Sequence, residues 1–141
     1  MGLSTVLTAV RDAVAPTAGI DGSAFYPPPT TIAGMPCVIV EAGEGQIDQG
    51  ATEGEIEVWT HTVKLSIFAC EGYRKEMYGQ AVDLLGAVTA QFRSQLTLGG
   101  IVAVCTPTRY AVGRLTYGLA EYTGATLTLS VEEKFAVDLL P

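Results

Sequence analysis

The chain has 141 residues, 15 acidic and 8 basic, for a formal net charge of −7. That length bounds it to one domain burying roughly 68% of its unfolded surface, and the negative balance argues against wrapping DNA or RNA and against an anionic membrane surface. Hydrophobic residues make up 48% and charged residues only 16%, against about 25% in typical domains, so the composition reads as a subunit that hides neutral surface against neighbours; a charge-poor soluble monomer is the plainer alternative.

A first helix is predicted over 4–15. Leu3, Val6, Leu7, Val10 and Val14 recur at three- and four-residue steps and form one apolar stripe. Ser4 or Thr5 is the expected cap, accepting a hydrogen bond from a free backbone N–H, and Pro16 is the expected stop. Arg11 and Asp12 interrupt the apolar run, so it does not read as a secretory signal. A connector over 17–35 follows, with Gly19, Gly22, Gly34 and the run Phe25-Tyr26-Pro27-Pro28-Pro29. Three prolines favour an extended polyproline path. This strap lies either over the domain's own surface or on a neighbour, with Phe25 and Tyr26 as anchors.

The first strand is predicted over 37–42. The stretch 43–55 is glycine-rich and acidic: Glu41, Glu44, Asp48, Glu53, Glu55 and Glu57 fall in or beside it, with no basic residue among them. Such charges must stay solvated, which suggests a flexible, exposed hairpin tip. The second strand, over 56–70, places Trp59, His61, Val63, Leu65, Ile67 and Ala69 on one face and Thr60, Thr62, Lys64 and Ser66 on the other. It is long for a strand and is expected to project past the domain edge, where a partner would cover it.

The second helix, over 74–95, carries the strongest stripe: Met77, Ala81, Leu84, Leu85, Val88, Phe92 and Leu96. Gly79 and Gly86 weaken it by roughly 1 kcal/mol each and suggest close packing on the sheet. Gly99-Gly100 turns the chain into a short strand over 101–105. Pro107 and Gly113 make 106–117 read as loop or bulge. The last strand spans 119–137, with a bulge expected at Gly124. The sum is an α+β fold in the order α-β-β-α-β-β: a mainly antiparallel four-stranded sheet with a long hairpin, one long helix packed on one face and a short N-terminal helix.

Motifs for chemistry are sparse. His61 is the single histidine, on the inward strand face, and reads as a core or interface residue with a hydrogen-bond partner. Cys37, Cys70 and Cys105 are widely spaced without a CxxC and read as buried reduced thiols, suited to a reducing cytoplasm. This set does not make a zinc site. There is no G-x-S-x-G elbow. Gly43-Glu44-Gly45 lacks the Lys-Ser/Thr of a phosphate loop, and Asp48 lacks the spaced acids of an EF-hand. Arg74, Lys75, Arg93, Arg109 and Arg114 are dispersed and form no stacking platform for single strands. The expectation is a non-enzyme with no metal and no cofactor. No run of about 18 apolar residues occurs, so no membrane span is expected.

Segment order and content resemble the tail terminator proteins of long-tailed, siphovirus-type bacteriophages. The resemblance rests on the short helix before a proline-rich strap, on the strand from Glu57 to Phe68 running into the second helix, and on the closing segment Glu121-Tyr122-Thr123-Gly124-Ala125-Thr126-Leu127-Thr128-Leu129-Ser130-Val131. That closing segment looks like the family's "Y-x-G then alternating apolar" strand. The likeness spans roughly residues 3–138. It implies a virion protein assembled in the host cytoplasm as a homo-oligomeric ring, usually of six subunits. The ring caps the tail tube protein at its head-proximal end, ends tube polymerisation and offers the head–tail connector or neck protein its attachment surface. DNA passes through its channel without specific binding. Glu44, Asp48, Glu53 and Glu55 are then candidates to face the channel or the tube, and Phe25, Tyr26, Pro27, Pro28 and Pro29 to form a subunit-contact strap. The alternatives are a head-closure or neck ring protein of the same particle, and a small ligand-binding α+β domain.

Overall fold

The computed structural model describes residues 2–20, 24–32, 34–49 and 56–136. The elements run α1 (Leu3–Val14), β1 (Ala24–Phe25), β2 (Cys37–Gln49), β3 (Ile56–Glu71), a 3-10 turn (Lys75–Met77), α2 (Tyr78–Arg93), β4 (Val104–Tyr117) and β5 (Ala120–Ala136). They make an α+β fold, with five strands rather than four, in the order β1-β2-β3-β5-β4. The sheet is mixed: β1 pairs in parallel with β2 at Val38 and Ile39, and every other pairing is antiparallel. The fifth strand is two residues of the expected strap, too short to leave a periodicity.

The inner face of the sheet carries the helices. Val6, Leu7, Val10 and Val14 of α1 and Ala81, Leu84, Leu85, Val88 and Phe92 of α2 pack on Val38, Val40, Val63, Leu65, Ile67, Leu127 and Leu129. The two predicted stripes therefore face the core, except that Met77 is half-buried in the 3-10 turn before α2 and Leu96 is 52% exposed beyond its end. Three details of the helices differ. Gly2 is the N-cap of α1 and no side chain caps it, so Ser4 and Thr5 lie inside the helix. Ala15 keeps helical angles before Pro16 (φ −53°, ψ −41°). Gly79 and Gly86 are exposed and have no atom within 4 Å of where a Cβ would stand, so they allow no close approach to the sheet.

The outer face is buried only at one end, by a second cluster of Cys37, Ile39, Phe68 and Tyr122. Phe68 stacks edge-on against Tyr122 (5.1 Å) and Tyr117 (5.9 Å), and Phe25, Ile32 and Met35 of the strap close over them. The closing Tyr122-Thr123-Gly124 triplet is a device of the fold. Tyr122 fills this cluster. Thr123 Oγ1 donates to the Gly72 carbonyl (2.7 Å) and accepts from the Arg74 N–H (2.8 Å), pinning the turn that leads to α2. Gly124 lets two strands touch, since a Cβ there would stand 2.0 Å from the Ile67 carbonyl oxygen. The register shift expected at Gly124 lies instead on the facing strand, between Phe68 and Cys70.

Two stretches expected as loops are strand. Cys37–Gln49 continues past Ala42 through the acidic segment, pairing Gln46 with Thr60, Ile47 with Trp59 and Asp48 with Val58 across a bulge between Ala42 and Gly45. Val104–Tyr117 is one edge strand rather than a loop, and the bulge expected as the alternative is present as a register shift between Pro107 and Arg109, which absorbs the proline. An edge strand tolerates a missing N–H and an extra residue where a central one would not.

Candidate functional site

The helices end before the sheet does. Beyond them, the inner face of β2, β3 and β5 presents Ile47, Glu57, Trp59, His61, Glu133 and Phe135, with Leu3 at the start of α1 as their helical neighbour. Two clefts of about 210 and 360 Å³ flank Trp59, one toward Gly45 and Ile47 and the other toward Gly2, Glu133 and Phe135. The Trp59 ring stands edge-on to Phe135 (5.9 Å) and tilted against His61 (5.9 Å), and its Nε1–H donates to the Glu57 carboxylate. Ile47 is exposed; Trp59 and Phe135 are half-buried.

Behind Trp59 lies a buried polar pair. His61 Nε2 lies 2.7 Å from Glu133 Oε1, and both residues are buried, at 6% and 3% exposure. The N–H is the donor and the carboxylate the acceptor. The sequence placed His61 inward but did not single out Glu133, whose partnership across 72 positions is set by strand register. The register also separates His61 from the thiols. Cys105 stands beyond Val131 in the same row, two strand spacings away, or roughly 10 Å. Cys37 is on the outer face, and Cys70 is at the far end of β3. Cys37 and Cys105 are buried as expected, and burial pushes their thiols up to about 11 and about 12; Cys70 is half-buried. Among the described residues no three His, Cys, Asp or Glu side chains cluster to hold a metal ion.

The candidate acids separate into two groups. Glu44 and Asp48 are exposed on the outer edge of β2, fixed in a strand rather than swinging on a loop. Glu53 and Glu55 lie outside the described residues. Much of the strap packs on the chain's own surface. Phe25 packs on the outer cluster, Tyr26 on the main core, and Tyr117 donates its hydroxyl proton to the Pro29 carbonyl. Arg11 Nη1 donates to the Tyr26 carbonyl (3.1 Å). Pro27 and Pro28 are left exposed.

Neither a model of a known protein family nor a curated protein matches the sequence. No helix among the described residues is long and apolar enough to cross a membrane.

Proposed function

We propose that this protein is a ring-forming structural subunit of a long-tailed phage particle, set at the head-proximal end of the tail tube. There it ends tube growth and offers the head its attachment surface. The observation that carries the reading is the uncovered apolar end of the sheet. Ile47, Trp59, Phe135 and Leu3 form a shallow, cleft-flanked surface in a chain with only 16% charged residues. Such a surface is suited to burial against a stacked or neighbouring protein. The buried His61–Glu133 pair stiffens the strands beneath it and fixes how they present that surface. The segment order and the closing strand supply the resemblance to tail terminators.

On this reading Glu44, Asp48, Glu53 and Glu55 face either the channel or the tube; facing the channel, they keep passing DNA from adhering, since adhesion depends on positive charge. The experiment is deletion of the coding sequence in its phage. Loss of a terminator gives overlong or ragged tails, whereas tails of normal length with unattached heads would assign the chain to the neck and overturn the terminator role.

A further inference from the structure

The sheet has two long edges, and they match each other. On one side β1 covers β2 only at Val38 and Ile39, so among the described residues Val40–Gln49 has no strand beyond it. On the other side, among the described residues, β4 has none beyond Val104–Tyr117. Unpaired edges template further pairing unless they are blocked. The register shows what each edge would offer the other. Tyr110 pairs with Leu127, Leu127 with Leu65 and Leu65 with Val40, so Tyr110 and Val40 close the two ends of one row on the inner face. Tyr110 is 72% exposed, a bare aromatic ring on the β4 edge. Val40 lines a cleft of about 400 Å³ at the β2 edge, walled by Leu3, Leu7, Tyr26 and Pro28.

The adjacent row adds charge. Arg109 pairs with Thr128, Thr128 with Lys64 and Lys64 with Glu41, so a cation and an anion end the same row on opposite edges of the outer face. The two edge irregularities coincide too: Pro107 of β4 and Ala42 of β2 end the row that runs through Leu129 and Val63. Strand directions alternate from β2 through β3 and β5 to β4, so rotation about an axis along the strands would set β4 of one copy antiparallel to β2 of the next. Val104–Tyr110 would then face the part of β2 that starts just past β1.

Resting on the ring reading above, we infer that the ring is closed head-to-tail by this joint: the β4 edge of each subunit adds to the β2 edge of the next copy, Tyr110 fills the neighbour's cleft beside Val40, and Arg109 meets its Glu41. A heterologous contact of this kind closes into a ring when its rotation permits. A buried aromatic anchor and a facing ion pair are the usual strong points of such a contact.

Native mass spectrometry and sedimentation of the full chain test it. The expected wild type is one closed oligomer. Tyr110→Ala, Arg109→Glu and Glu41→Arg should each raise the concentration needed for assembly at least tenfold, with circular dichroism unchanged. The reciprocal Arg109→Glu/Glu41→Arg chain should restore the oligomer. A ring that survives all three single changes would overturn the edge joint while leaving the ring itself standing, and so would a reciprocal chain that stays dissociated. A wild type of single-chain mass at high concentration would sink both.

Discussion

At one end of the sheet, side chains are buried on both faces: α1 and α2 cover Val38, Leu65 and Leu127, and the strap covers Ile39, Phe68 and Tyr122. At the other end the same strands carry Ile47, Trp59 and Phe135 past the helices with little over them. The strands are continuous, so the difference comes from what is laid on them. On the proposed reading, the covered end serves stability and the bare end contact. Substitutions at the two ends should therefore separate folding from assembly.

The largest effect should come from Gly124→Ala, where the new Cβ would overlap a backbone carbonyl that cannot move without parting β3 from β5. We expect a loss of about 4 kcal/mol or more, in the range reserved for a named steric fault, read as loss of soluble folded protein. Phe68→Ala follows. Phe68 is 1% exposed inside the outer cluster, and its truncation should cost about 3–5 kcal/mol in urea denaturation. Trp59→Ala, at the bare end, should cost the free chain only about 1–2 kcal/mol, mainly its contacts with Phe135 and His61. Equal losses at Phe68 and Trp59 would erase the contrast between the ends.

The bare end still contains one structural element, the His61–Glu133 pair. Glu133→Ala leaves the His61 N–H without its acceptor and should cost about 3 kcal/mol, whereas a His61→Leu/Glu133→Leu chain should recover most of that loss. A double-mutant cycle in denaturant measures it. A separate effect is alkaline. Burial raises the folded Cys37 and Cys105 thiols from 9.0 to about 11 and about 12, and it also raises the Tyr117 hydroxyl, with the Glu41 charge as a further cause. The fold holds these groups protonated while the unfolded chain ionises earlier. Their contribution is complete below about pH 9 and declines as pH climbs toward 12. The urea midpoint should fall across that window, and Cys105→Ala should flatten the slope.

The covered end was the more legible in the sequence. Apolar steps of three and four placed both helices, and two-residue alternation turned Val63, Leu65 and Ile67 inward, because each of these elements has one face to bury. The edges misled. Glycine and carboxylates made 43–49 read as a loop, and Pro107 and Gly113 did the same for β4, yet an edge strand is where such residues are tolerated. Glu133 looked like one solvated acid among several until register set it beside His61. Tyr110 gave no sign of its place at the sheet edge, since register alone sets which row it ends.

The most direct measurement is the mass of the native species, followed by electron microscopy of the same sample. The account predicts a closed ring of one stoichiometry with a central hole, which binds the end of a tail tube. A stable single chain at high concentration, indifferent to tube ends, would contradict it.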